Sequence, residues 1–181
     1  MNISGYILFN QFSVGSATVV AFTMTLGVFF LLTRNKSRST VHIGMAFAYL
    51  ALFHFSYFIS FSVYHPLGAY HRWLSVPSVL LAEATMHFFI IQYPDNRNSR
   101  FAGWYAAVQY AAIATVSVIF YVFTFKSDRI FNFDGHYWDF DAYTISAFVG
   151  IIIIINTVIF AILVLWRTIQ LKEKKRWWLL F

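Results

Sequence analysis

The chain has 181 residues, of which 60% are hydrophobic and only 11% charged. A soluble globular domain carries about 25% charged residues, so that class is excluded. The net charge of +6 raises nucleic acid as a partner, but the basic residues lie beside the ends of apolar runs, where they act as topology signals, and nucleic acid is rejected. With no cysteine, disulfides, thiolate chemistry and Cys-ligated metals are excluded.

Five apolar runs follow in chain order: Phe12–Leu32, Ile43–Val63, Trp73–Gln92, Phe101–Phe125 and Tyr143–Trp166. Each is long enough to cross the bilayer, which takes about 20 apolar residues in a helix. None shows the alternation of barrel strands, so the predicted fold is all-α, a polytopic transmembrane bundle of about five spans forming one membrane domain over residues 1–181. Met1–Gln11 has no basic residue, and the run behind it exceeds a signal-peptide core, so it reads as a span.

Counting Lys and Arg orients the bundle. Arg34, Lys36, Arg38, Arg97, Arg100, Arg167, Lys172, Lys174, Lys175 and Arg176 fall on one side, and Arg72, Lys126 and Arg129 on the other. This bias of ten to three predicts an outside N-terminus and a cytoplasmic basic tail, as in a multi-pass protein of a cell inner (plasma) membrane. Four of the seven acids (Asp128, Asp134, Asp139 and Asp141) lie in the outer loop Lys126–Ala142.

Within that loop, Arg129–Phe140 alternates around Asp134-Gly135, a pair favoured in type I′ turns. The spacing predicts a small extracytoplasmic β-hairpin on the bundle mouth. Its aromatics either rest at the headgroup level or cap a ligand cavity. In the turn Tyr64–Trp73, Pro66 and Gly68 impose a tight reversal, while Tyr70 and Trp73 suit the interface. His65, His71, Arg72, His136 and Trp138 form a candidate outer-loop site for an unknown small ligand. His65 and His71 are either metal ligands or polar loop residues, since no helical spacing relates them.

Ionisable residues at bilayer depth are costly and therefore functional candidates. They are His54, Glu83 and His87, with the polar Gln109 and Asn156. Glu83 and His87 share a helix face at i and i+4. His54 and Glu83 lie near the middle of adjacent antiparallel spans, which predicts a contact. Gln109 lies about one turn to the cytoplasmic side of the fourth span's centre, the depth of His87, and Asn156 is central in the fifth span. Three readings stand: a polar network that fixes helix register, a protonatable switch, or a metal or haem site. No phosphate-binding glycine loop, nucleophile elbow or HExxH motif occurs, so no cofactor and no catalytic residue is assigned.

At the end of the chain, Lys172–Arg176 is a charge run and Trp177–Phe181 resembles the opening of a sixth span, so 167–181 reads as a cytoplasmic connector leading into it, and the chain as a fragment of a longer protein. The alternative is an interfacial anchor.

The basic first loop, Tyr57-Phe-Ile-Ser60, Ser62-Val-Tyr-His-Pro66, Tyr70-His-Arg-Trp73, Glu83 and Gln92-Tyr-Pro-Asp-Asn-Arg97 together resemble the N-terminal seven-span region that precedes histidine kinase, nucleotide cyclase or PP2C-like phosphatase domains in bacterial, especially spirochaete, signalling proteins. The resemblance covers most of the chain, which has five spans and a stub in place of seven. It implies a sensor or membrane anchor without its own catalytic domain, whose partners are the lipid bilayer, a cytoplasmic output domain or a second copy in a homodimer. The alternative is a small transporter or a redox (haem or metal) subunit using His54, Glu83 and His87.

Overall fold

A computed structural model of the chain describes residues 7–94, 99–125 and 129–171. It contains five α-helices, α1 (Gln11–Leu32), α2 (Arg38–Ser62), α3 (His71–Gln92), α4 (Ser99–Thr124) and α5 (Tyr143–Gln170), with strands β1 (Phe131–Phe133) and β2 (Trp138–Phe140) between the last two. All five helices are long and apolar enough to cross a membrane, and the fold is the expected all-α bundle with a small sheet. The basic run Lys172–Arg176 and the aromatic stretch Trp177–Phe181 lie outside the described residues.

Helix ends follow capping chemistry rather than hydropathy. Asn10 caps α1 by accepting from the N–H groups of Phe12 and Ser13, and the Ser13 hydroxyl accepts from the Asn10 N–H in return. Ser37 caps α2 through the Thr40 N–H, which starts that helix at Arg38, well before the apolar run. Between α1 and α2, Asn35 takes a left-handed φ of 52°, which Asn tolerates, and the Lys36 ammonium donates to the Leu31 carbonyl at the end of α1.

The pair α1–α2 is joined through small residues. A Cβ placed on Gly27 would stand 3.2 Å from the Ala48 nitrogen and 3.3 Å from the Gly44 carbonyl oxygen. Between membrane helices of equal apolarity to lipid, this kind of close backbone approach supplies the packing. The segment before α1 is tied to the far end of α2, where the Leu8 N–H donates to the Ser62 carbonyl at 2.9 Å.

The central helix is α3. It packs on α2 along one side and on α4 and α5 along the other. Of its apolar stretch 56% is buried, against 11% in α1 and in α5, so α3 is the core and those two are the peripheral helices. Phe88, Phe120 and Leu80 centre one apolar cluster, which Phe140 joins from β2, and Ile90, Ile91, Ala102 and Leu163 form another. Pro77 lies inside α3 and has no N–H for the Trp73 carbonyl one turn earlier. The Tyr121 hydroxyl of α4 donates to that carbonyl at 2.7 Å, and the Trp73 indole N–H donates to Thr124 at 3.1 Å. At the other end of α3, Arg167 of α5 is buried and donates its Nε–H to the Tyr93 carbonyl at 2.7 Å, binding the capping residue where the helix dipole favours a cation.

The predicted hairpin forms, with Phe131 opposite Phe140, Asn132 opposite Asp139 and Phe133 opposite Trp138. Its turn differs by one residue from the expectation. Asp134 donates its N–H to the Tyr137 carbonyl at 2.9 Å, which makes Gly135 and His136 the central pair. Only Gly135 has positive φ, at 73°, so the turn is not a type I′ turn centred on Asp134-Gly135; glycine at the first central position is the requirement of type II′. The hairpin is docked by Arg129, whose guanidinium lies 4.7 Å from the Phe140 ring centre and 5.1 Å from that of Tyr70.

Candidate functional site

The intramembrane polar residues converge on one side of α3, with one exception. His87 is fully buried. Its Nε2 meets the Asn156 backbone carbonyl at 3.1 Å, and its Nδ1 meets the Tyr105 hydroxyl at 2.7 Å. A carbonyl only accepts, so Nε2 carries the hydrogen, and in the neutral ring Nδ1 then accepts from Tyr105. The Tyr105 oxygen accepts in turn from Gln109 Nε2 at 2.8 Å, and Gln109 also reaches Asn156 Oδ1 at 3.4 Å. The result is a directed chain, Gln109 to Tyr105 to His87 to the α5 backbone, linking α4, α3 and α5. His87 and Gln109, expected at one depth, share Tyr105, and Asn156 of α5 also joins them.

Glu83 lies one turn from His87 toward the hairpin. Its Oε1 accepts from the Thr157 hydroxyl at 3.2 Å, and its Oε2 is buried without a partner. Glu83, His87, Asn156 and Thr157 line a cavity of about 150 Å³ together with Leu50, Val79, Ala82, Met86 and Phe160.

The expected contact between His54 and Glu83 is not made. The His54 ring stands edge-on to Phe53, 5.2 Å between centres, and the α2 residue lining the Glu83 cavity is Leu50, one turn away. The cause is the early start of α2 at its Ser37 cap, which puts the helix midpoint at Leu50 rather than near His54. For the same reason His54 does not join Glu83 and His87. Among the described residues no group of three or more His, Asp or Glu side chains could hold a metal ion.

The outer-loop candidates divide in the same way. His65 Nδ1 accepts from the Leu67 N–H at 3.2 Å, capping the short 3-10 turn Pro66–Tyr70, and the buried His71 donates from Nδ1 to the Gly68 carbonyl at 3.1 Å. Both are thereby committed to that turn. His136 is exposed and lies over Phe12 of α1, 4.4 Å between centres, while Trp138 packs on Phe133 across the hairpin.

Arg72 is the member with chemistry to offer. Its guanidinium forms an ion pair with Asp139 of β2 and donates to the Ser146 hydroxyl of α5 at 2.5 Å. Below it a cavity of about 380 Å³ runs between α2, α3, α4 and α5. Its upper wall is polar, with Tyr57, His71, Arg72, Ser75 and Ser146. Its lower wall is apolar, with Phe53, Val76, Val79, Phe120, Val149 and Ile153. Tyr137 of the hairpin turn closes the top, beside the His71 ring at 5.7 Å. Burial, then the nearby Asp139 and Asp134 charges, push the Tyr137 phenol above its ordinary value, so it is neutral at physiological pH.

The sequence reading missed Tyr105, Thr157, Tyr57, Tyr137 and Ser146. Tyr105 was detectable, because it lies one helical turn before Gln109 on the same face. No protein-family model, curated protein or solved structure matches the chain.

Proposed function

We propose that the chain is a membrane-embedded sensory module of a bacterial signal-transduction protein, set in the inner membrane with the hairpin outside and without catalytic chemistry of its own. A small ligand reaches the cavity from the hairpin end, and the resulting change in helix packing passes to a cytoplasmic output domain or to a second copy. One observation carries this reading: a cavity of about 380 Å³, polar above and apolar below, roofed by Tyr137 of the hairpin. The resemblance to seven-span signalling regions supports it. A ligand acts in such a module by binding two packings of the bundle unequally.

The absence of cysteine makes site-specific labelling direct. With nitroxides on Asn132→Cys and Thr33→Cys in nanodiscs, electron-spin distances are measured against a panel of small polar and amphipathic solutes. A solute that shifts the hairpin distance supports the sensor. A panel without effect, together with ion flux through the same protein in proteoliposomes, overturns it.

The second reading is a small transporter or redox subunit, favoured by the unpartnered Glu83 Oε2 in a cavity that His87, Asn156 and Thr157 also line. Flux that is lost in Glu83→Gln, or a haem absorption band in the purified protein, selects it.

A further inference from the structure

We propose that the hairpin-end cavity takes a small carboxylate with an apolar or aromatic body, and that the ligand's carboxylate replaces Asp139 on the guanidinium of Arg72. This rests on the sensory reading and adds the ligand's chemical class and the contact it breaks.

Arg72 is the only Lys or Arg among the residues lining the cavity. A guanidinium presents paired N–H donors that match the two oxygens of a carboxylate. The Ser146 hydroxyl is held beside it, and the apolar lower wall accepts a hydrocarbon or ring body. The volume of about 380 Å³ lies near the small end of ligand sites, which run from ~300 to ~1,000 Å³, so the ligand is small.

The protein already supplies a carboxylate at this position. Asp139 comes from β2, and its ion pair with Arg72 joins the hairpin to α3. A second cavity, also about 380 Å³, lies on the hairpin side and is lined by Asp139, Asn132 and Asp134. Arg72, Tyr137 and Ser146 line both cavities. The ion pair and the Tyr137 ring therefore form the partition between them. An anion arriving through the hairpin-side cavity passes Asp134, reaches Arg72 at the partition, exchanges with Asp139, and places its body in the lower cavity. Asp139 and Tyr137 belong to one short strand and its turn, so release of one loosens the other. The hairpin is a lid whose latch is a copy of the ligand's own functional group.

The test uses three probes of one size: benzoate, benzyl alcohol and benzylamine. Each is titrated into the full chain in nanodiscs carrying a fluorophore on Asn132→Cys. Benzoate is expected to change the emission saturably, with the other two much weaker. Asp139→Asn removes the competing charge and tightens benzoate by about tenfold, the size of one charge-assisted hydrogen bond. Arg72→Met loses benzoate binding, and Arg72→Lys, which keeps the charge, retains part of it, separating lost recognition from lost folding. Benzyl alcohol or benzylamine binding as tightly as benzoate, or Asp139→Asn leaving benzoate affinity unchanged or weaker, overturns the carboxylate assignment while the cavity remains a ligand site. Silence toward all three probes in both the parent and Asp139→Asn overturns the assignment and the sensory reading together.

Discussion

Tyr105 and His87 face each other across the α3–α4 contact, the phenol donating to the imidazole Nδ1 at 2.7 Å. The other imidazole nitrogen is committed to the Asn156 carbonyl, so this hydroxyl is the donor that completes the ring's hydrogen bonding. Removing it leaves a buried acceptor unmatched.

Tyr105→Phe is therefore expected to lower stability by about 1 kcal/mol, the usual scale for a polar contact between membrane helices. In a double-mutant cycle with His87→Leu, the second loss should be clearly smaller than the first. Unfolding titrations in mixed micelles check this. Strict additivity of the two substitutions would show that the bond contributes nothing.

The Pro77 break gives a compensating pair. Tyr121→Phe leaves the Trp73 carbonyl without a donor and should destabilise by about 1 kcal/mol. In a Pro77→Ala background the backbone regains an N–H at that position and with it the helical bond, and the same Tyr121→Phe change should become nearly neutral. An equal loss in both backgrounds would mean that the hydroxyl is not standing in for the missing helix donor.

Backbone proximity predicts which glycines tolerate side chains. Gly27→Leu must push Ala48 and Gly44 backbone atoms away, so α1 should separate from α2. Gly15→Ala and Gly103→Ala meet nothing within 4 Å and should be silent. Disulfide trapping between introduced cysteines on α1 and α2 measures the separation. Trapping that is as efficient in Gly27→Leu as in the parent would remove the small-residue contact from the account.

Orientation is testable with single cysteines at Asn35, Leu67, Asn98, Asp134 and Lys174. Leu67 is exposed on the short turn, so Leu67→Cys and Asp134→Cys should react with an impermeant maleimide in intact cells, and the other three only after permeabilisation. Labelling of Lys174→Cys from outside would reverse the assignment.

Spans were legible because bilayer thickness translates directly into apolar length. The hairpin was legible from Asp134-Gly135, but the turn slipped to Gly135-His136 because glycine alone supplied the positive φ. His87 and Gln109 were related by comparing depths, which works when run centres coincide with helix centres, and Asn156 stood out as a polar residue central in its span. For His54 they do not, since the Ser37 cap starts α2 at Arg38, ahead of the apolar run at Ile43. Tyr105 reads as packing, as an aromatic in an apolar run does, although its place one turn before Gln109 marks the shared face. Arg72 and Arg167 entered the charge count as loop residues. A count of charge by side has no means of showing that each reaches into the protein, Arg72 to Ser146 and Arg167 to Tyr93.

Those two arginines point in opposite directions. At the hairpin end an α3 guanidinium grips α5 at Ser146, and at the far end an α5 guanidinium grips α3 at Tyr93. The two helices are a ladder with a rung at each end. Sliding one past the other in either direction must break a rung, whereas bowing apart between them breaks neither. The cavity below Arg72 and the Glu83 cavity extend between the rungs, so a guest that swells either of them bends the pair rather than driving a piston.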